Sequence, residues 1–183
     1  MEMFDIYDFS RIKTGESMTS GTPVPNGFYR IVVRICVFNS NGEMLIQQRQ
    51  PFMDGWCGLW DISCGGSAIS GETSQQAAER ELFEELGISV SFKNTAPSLT
   101  ASHPTKGYFD DVYIVNKDIE LSQLNFQYEE VKTAKWASCS EILQMIENNT
   151  FIPYNPNYIN LLFWMRNHNG FRTRKDWTQK IKP

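Results

Sequence analysis

The pattern of apolar and polar positions along the chain predicts more strands than helices. The apolar run Phe28–Phe38 is rich in β-branched residues and predicts a strand. The polar segment Asn39–Gly42 is typical of a hairpin turn, so Glu43–Gln48 is predicted to return as the paired strand. Turns are also predicted near Lys13–Gly15 and at the glycines that follow Ser63. Shorter strands are predicted at Phe4–Tyr7, Leu59–Ser63, Ile88–Phe92, Asp111–Val115 and Lys132–Ala137.

Helical signals are found in three segments. They are Ser74–Leu86, Ser140–Glu147 and Pro156–Asn167. The first segment has both ends marked, since Thr73 and Gln76 fit a capping box and Gly87 follows as a C-terminal cap. The third segment is strongly apolar and is expected to pack on a sheet. Mixed strands with few helices predict the α/β class with a mixed β-sheet.

Composition places the chain among globular proteins of one ordinary domain. Its 183 residues are 41% hydrophobic and 21% charged, and this length is enough for a substantial core. The net charge of −4 gives no reason to expect a nucleic-acid surface, and no apolar run approaches the about 20 residues of a membrane span. The acidic N-terminus lacks a signal-peptide pattern, so the expected location is the cytoplasm.

The cysteines and the two histidines give no zinc-binding pattern. None of the cysteines belongs to a Cys-x-x-Cys pair, so reduced thiols are expected. They are Cys36, Cys57, Cys64 and Cys139. Cys64 differs from the others in its sequence context, because it directly precedes the dipeptide Gly65-Gly66.

Three carboxylates on the helix predicted at Ser74–Leu86 oppose local electrostatic preference. Glu81, Glu84 and Glu85 fall within an arc of about 100° on a helical wheel. Like charges four residues apart repel by a few tenths of a kcal/mol, and these carboxylates also face the negative end of the helix dipole. A solvated acidic helix face is the alternative interpretation. A hard cation such as Mg²⁺ would offset both costs, and Mg²⁺ is commonly shared with substrate phosphates.

The full spacing around these carboxylates resembles a known signature. Gly66 is followed by five residues and Glu72, then by seven residues and the segment Arg80-Glu81-Leu-Phe-Glu-Glu-Leu-Gly-Ile88. This pattern resembles the Nudix box of the Nudix hydrolase family at every defining residue. The resemblance implies a Nudix-type α/β/α sandwich. It also implies three parts of the chain, which are an N-terminal extension (1–27) with a short strand or hairpin packed on the domain, a Nudix hydrolase domain (28–168) and a C-terminal tail (169–183).

The resemblance also implies a set of metal ligands. Glu81 and Glu85 would bind Mg²⁺ or Mn²⁺, and Glu84 would bind it directly or through water. A backbone carbonyl of Gly65 is a further candidate ligand. Gly66 would let the backbone come close to the substrate, because glycine has no Cβ to obstruct it.

Other residues of the box would position the reacting groups or contact the substrate. Arg80 would hold a neighbouring glutamate through a bidentate contact, and Glu72 would pair with Arg80 or assist a metal-bound water. Candidate substrate contacts outside the box are Arg49, at a strand end, and Lys106, in the loop Ala101–Tyr108 expected to form the lip of the pocket. The general base stays open between Glu81, Glu130 and Asp111, with Asp110 and Glu129 as further acidic loop residues.

The expected function is a Mg²⁺-dependent pyrophosphohydrolase acting on a nucleoside diphosphate derivative or a similar small diphosphate. The segments Glu43–Arg49 and Gly58–Asp61 resemble the branch of the family related to type I isopentenyl diphosphate isomerase. An isomerase is therefore an alternative, with Cys64 near the position of its cysteine. The intact box and the absence of a histidine after Cys64 favour the hydrolase. A non-catalytic nucleotide-binding domain is the third alternative, and a homodimer is possible.

Overall fold

A mixed sheet of seven strands lies at the centre of the protein, whose computed structural model describes residues 2–168. The predicted tail at 169–183 lies outside the described residues. The helices are α1 (Ser74–Leu86), α2 (Cys139–Glu147) and α3 (Pro156–Met165). The strands are β1 (Met3–Tyr7), β2 (Lys13–Thr19), β3 (Arg30–Phe38), β4 (Met44–Arg49), β5 (Trp60–Asp61), β6 (Cys64–Ser67), β7 (Leu99–His103), β8 (Tyr108–Asn116) and β9 (Val131–Ala137).

Strand β3 organises the sheet. On one side it pairs in parallel with β8 along its whole length, and β7 then pairs antiparallel with β8. On its other side β3 is shared, because β4 meets it at Phe38 while β6 pairs with Val32–Ile35. Since β5 pairs with β4, the chain crosses from β4 to β3 between β5 and β6. This crossing places Gly65 and Gly66 next to the middle of β3.

Two apolar layers cover the two faces of the sheet. On one face α1 packs its buried residues against alternate positions of β3, including Val33 and Ile35. On the other face α2 and α3 pack against the intervening positions, including Cys36 and Phe38. The alternation follows from the two-residue period of a strand. The predicted α/β/α sandwich with a mixed sheet is therefore confirmed.

The N-terminal residues form a hairpin of their own. Strands β1 and β2 pair only with each other, while Tyr7 exchanges backbone hydrogen bonds of 2.7 and 2.9 Å with Tyr29. The hairpin also reaches the loop before α1, because Ser70 N–H donates to the Met3 carbonyl at 2.7 Å and Gly71 N–H donates to Asp5 at 3.0 Å. The hairpin thus contacts the segment 66–88, whose residue spacing resembles the Nudix box. The boundary at residue 27 stays a prediction.

Helix α1 has the predicted bounds because its signals are local. Thr73 accepts from the backbone of Gln76, whose side chain accepts in return from Thr73 N–H, and Gly87 ends the helix in the left-handed conformation at φ 72°. Helix α3 ends at Met165, two residues before the predicted end. No helix within residues 2–168 is long and apolar enough to cross a membrane.

Several predictions of strands and turns were wrong, because in these segments pairing with another strand, and not the local composition, determines whether a strand forms. Lys13–Thr19 contains a predicted turn but forms β2, which is mostly exposed and held by backbone bonds to β1. The predicted glycine turn is strand β6, and part of the predicted lip at Ala101–Tyr108 is strand β7. Ile88–Phe92 is not a strand. Its Phe92 N–H instead donates to the Glu79 carboxylate at 2.6 Å, so this segment is held against α1.

Candidate active site

The close approach of α1 to strand β6 defines the centre of the site. Glu81 lies so near Gly66 that a Cβ built at residue 66 would overlap its carboxylate, with even the farther oxygen, Oε2, only 2.6 Å away. Such distances are not found for real Cβ atoms. A residue with a side chain at 66 would therefore displace Glu81, and glycine is required for this contact.

Arg80 connects the carboxylates of the box. Its guanidinium donates to Glu72 through Nε at 2.8 Å and through Nη2 at 3.1 Å, the bidentate contact expected from the sequence. Nη1 lies 2.9 Å from Glu84 and 3.0 Å from Glu81, and Nη2 donates to the Ser67 carbonyl at 3.0 Å. One cation thus fixes both the helix and the preceding loop.

Glu85 is the most buried acidic group of the cluster, at 2% exposure. Gln47 Nε2 donates to its Oε2 at 2.5 Å. Its Oε1 is buried without a hydrogen-bond partner. Burial, with the nearby charges of Glu81 and Glu130, raises the pKa of Glu85 well above its usual value. Sequence reasoning missed Gln47, because its contact depends on how the sheet packs against α1.

Burial also raises the pKa of Glu81, to about 7, against the opposing effect of Arg80. Because the pKa values of both neighbouring carboxylates are raised even with Arg80 nearby, the pair favours a further positive charge. In the described part of the chain, however, no three His, Cys, Asp or Glu side chains are already arranged around a metal position. Arg80 occupies the space between several of the carboxylates instead. The donors nevertheless suit a hard cation, since Glu85 Oε1 is an unpartnered oxygen beside a second carboxylate.

Arg49 and Lys106 have different positions relative to this cluster. Arg49 ends β4, where its charge acts on both Glu130 and the buried Asp61, and its Nε is buried without a partner. Lys106 is exposed in the turn between β7 and β8, whose Gly107 carbonyl accepts from Arg30 N–H at 3.0 Å. This turn lies beside the start of β3 and not beside the carboxylates. The geometry brings Arg49 to the site and leaves Lys106 at its periphery.

The candidates for the general base, Glu130 and Asp111, differ in their burial and in their hydrogen bonds. Glu130 is half-buried near the cluster, where burial and the charges of Glu2 and Glu84 raise its pKa while Arg49 and Arg80 oppose the shift. Asp111 is fully buried and accepts from Arg11, Ser74 and Thr100. Asp111 therefore has no free oxygen for a water proton, and its role is structural.

Cys64 lies among the carboxylates, as its position before Gly65 suggested. Its thiol is 1% exposed, and burial together with the charges of Glu85 and Glu81 raises its pKa well above the usual value. A thiol in these surroundings is hard to ionise. The structure therefore gives no support to Cys64 as a reactive thiolate.

An aromatic cavity of about 360 Å³ opens on the opposite face of β3 and β8. Its lining includes Tyr108, Tyr154 and Tyr158, above an ion pair in which Arg34 Nε donates to Asp110 at 2.8 Å. Asp110, a minor candidate for the base, is thus paired with Arg34 through Oδ2, while its Oδ1 is buried without a hydrogen-bond partner. Sequence reasoning missed this cavity, because its residues come from three distant segments and share no motif. Arg34 pairs in register with Gly65, so the cavity adjoins the strand that carries the site.

Comparisons with known proteins agree with this geometry. A model described as the NUDIX domain matches residues 28–158. The chain is 40% identical over 167 residues to lmo0368, an uncharacterized Nudix hydrolase of Listeria monocytogenes serovar 1/2a, covering 91% of this chain and 96% of that protein. An isopentenyl-diphosphate Delta-isomerase of Streptomyces coelicolor is more distant, at 26% identity over 81% of this chain and 77% of that protein.

A solved structure, that of DR0079 from Deinococcus radiodurans, has the same fold. It aligns with a TM-score of 0.69 and 23% identity, covering 88% of this chain and 97% of that one. The matched domain includes the box, its helix and the strands that position them. The chain therefore belongs to the Nudix family and is a hydrolase of that family.

Proposed function

We propose that the protein is a Mg²⁺-dependent pyrophosphohydrolase that cleaves a diphosphate linkage. The observation that carries this proposal is the buried carboxylate of Glu85, whose Oε1 has no partner, next to the half-buried carboxylate of Glu81. An uncompensated buried charge costs several kcal/mol, so a site of this kind favours a divalent cation. Mn²⁺ offers the same charge and similar oxygen ligation.

The proposed roles follow from the contacts. Glu81 and Glu85 would hold the cation, with a Gly65 carbonyl and Glu84 as further oxygen donors. When bound, the cation would neutralise phosphate oxygens and acidify a water. Arg80 fixes Glu81 and Glu72 in place. Arg49, whose Nε has no partner, is positioned to bind a phosphate oxygen.

Glu130 is the strongest candidate outside the box for removing the proton of the attacking water. It is near the carboxylate cluster and half-buried, and its pKa is raised by burial, as suits a base that works near neutral pH. Glu81 stays an alternative base if it is not fully engaged by the cation.

A nucleoside diphosphate derivative is the proposed substrate class. The aromatic cavity on the opposite face of β3 and β8 offers planar side chains such as Tyr108 and Tyr154, and its volume of about 360 Å³ falls in the usual range of small-molecule pockets. An isoprenoid diphosphate is the second candidate, since the cavity is also apolar and an isomerase is among the relatives. Cytoplasmic location and a homodimer stay predictions.

A substrate panel tests this proposal. Purified protein with Mg²⁺ is given nucleoside diphosphates, nucleotide sugars and isopentenyl diphosphate, and the release of phosphate and monophosphate is measured. We expect release from at least one nucleotide. Conversion of isopentenyl diphosphate into its allylic isomer without phosphate release would support the isomerase instead. Ligand binding without turnover of any compound would support a non-catalytic domain.

Metal affinity is expected to depend on pH around neutrality. The cation binds the charged form of Glu81, whose pKa is raised to about 7 by burial, so protons compete with it below that value. The titration of Glu81 alone should raise the dissociation constant for Mg²⁺ about fivefold from pH 7 to pH 6. Calorimetric titration at several pH values checks this. Equal affinities at pH 6 and pH 8 would contradict it.

A further inference from the structure

Arg30, the first residue of β3, lies in an unusual setting for an arginine. Its guanidinium carbon is 5.4 Å from the ring centre of Phe4 and 5.9 Å from that of Tyr108. Nη1 donates to the Ser67 hydroxyl. The side chain is thus held between a ring of the N-terminal hairpin and a ring of the aromatic cavity. This position is fixed by the fold and does not depend on a carboxylate.

Arg30 has no ion-pair partner among residues 2–168, unlike Arg11, Arg34 and Arg80. Arg34 has a carboxylate at 2.8 Å, Arg80 has one at 2.8 Å, and Arg11 is paired with Asp111. Burial and the like charge of Arg34 lower the pKa of Arg30, but an arginine stays protonated. A partly buried cation without a counter-charge is costly, and an anionic ligand would remove that cost.

A cavity of about 340 Å³ lies directly beside this guanidinium. Besides Arg30 and Ser67, its lining includes the hydroxyl residues Ser20 and Thr22, which follow β2. The guanidinium of Arg30 and the hydroxyls of Ser67 and Ser20 are donors of the kind that proteins use for phosphoryl oxygens, whereas the Thr22 hydroxyl already donates to the Thr19 carbonyl. The charge and the hydrogen-bonding groups of this cavity therefore favour a phosphate group.

The cavity adjoins the carboxylate cluster through two residues of β6. Ser67, which accepts from Arg30, also presents its carbonyl to Arg80, and the preceding Gly66 contacts Glu81. Because successive side chains of a strand point to opposite faces, Ser67 and Gly66 face opposite sides of β6, and a ligand of nucleotide size that reaches both places has to pass around the edge of this strand. Ser20 and Thr22 lie outside the residues matched by the family model, 28–158.

We propose that Arg30 and Ser67, with Ser20 of the N-terminal extension, form a phosphoryl-binding subsite that holds a phosphate group of the substrate outside the linkage that is cut. The role of the subsite in substrate selection rests on the proposed function. Binding of phosphate itself does not rest on it, because that step needs neither the divalent cation nor hydrolysis.

The first experiment measures phosphate binding without divalent metal. Inorganic phosphate is titrated in EDTA and followed by ³¹P NMR for the wild type, Arg30→Gln, Ser67→Ala and the control Lys93→Gln, which removes an exposed cation. We expect saturable binding to the wild type and the control, and at least about tenfold weaker binding to Arg30→Gln. No saturable binding to the wild type, or equal binding to a folded Arg30→Gln, would overturn the proposal. If Arg30→Gln does not fold, Ser67→Ala decides, with weaker binding expected.

The second experiment separates a substrate phosphate from free phosphate. Kinetics are measured with the best compound of the substrate panel that carries a phosphate outside the scissile linkage. For Arg30→Gln we expect KM to rise about tenfold with kcat nearly unchanged, because the lost contact is remote from the reacting bond. If Arg30→Gln loses phosphate binding but keeps the KM of the wild type, the role of the subsite in binding the substrate is overturned. If the panel finds no hydrolysis, the proposed function fails while the first experiment still tests the subsite.

Discussion

Replacing Glu85 by glutamine is expected to lower kcat/KM for diphosphate hydrolysis by about 10³-fold or more. The change is isosteric, so the contact with Gln47 can be kept after an amide rotation while the negative charge is lost. The remaining ligand charge on Glu81 cannot hold a hard cation as tightly. The measurement is steady-state kinetics at saturating Mg²⁺.

The same Glu85→Gln variant is expected to fold at least as well as the wild type without metal. Burial and the neighbouring Glu81 raise the pKa of Glu85, so the charge destabilises the metal-free protein and its removal is neutral or stabilising. Mg²⁺ at 100 times its dissociation constant should stabilise the wild type by about 2.7 kcal/mol and the variant much less. Glu147→Gln, at the exposed end of α2, is the control. Wild-type activity in Glu85→Gln would refute the metal assignment.

Replacing Asp111 by asparagine is expected to have the largest effect on stability. The carboxylate is fully buried and accepts from Arg11, Ser74 and Thr100, so its loss leaves a guanidinium without a counter-charge. Breaking a buried ion pair costs about 3–5 kcal/mol, and we expect about 3 kcal/mol because Arg11 is 33% exposed and can regain water. Urea denaturation measures the change in the free energy of unfolding.

Kinetics of the Asp111→Asn variant then separate stability from chemistry. At a temperature where the variant is fully folded, kcat should stay close to that of the wild type, because Asp111 has no oxygen available for a water proton. Asp54→Asn, in an exposed loop, is the matched control for loss of a carboxylate. A large drop in kcat in folded Asp111→Asn would instead restore Asp111 as a candidate general base.

The sequence predicted the parts of the site whose signals are local. Helix α1 carries its capping box, its C-terminal glycine and its carboxylates within 15 residues, so its bounds and its charged face could be predicted together. The Glu72–Arg80 pair was also accessible, because both residues belong to one motif. These contacts depend on helical geometry and a short loop, which the spacing of residues specifies.

Other parts depend on contacts between distant segments and could not be predicted. Asp111 was a plausible loop base until the fold placed Arg11, 100 residues earlier, beside it. Strand β2 has no apolar alternation, since backbone bonds to β1 hold it in place. Arg30 reads in sequence as one residue of an apolar run. Its unusual environment results from contacts with Phe4 of β1 and Ser67 of β6, which lie in other parts of the sequence.

The contact between Gly66 and Glu81 has a consequence for how related chains are interpreted. A side chain at position 66 would push the carboxylate away while leaving the pairing of β6 with β3 possible, so the fold can persist while Glu81 moves. Among natural variants of this domain, a residue other than glycine at 66 should mark copies in which Glu81 no longer lies against β6, even where all the glutamates are kept.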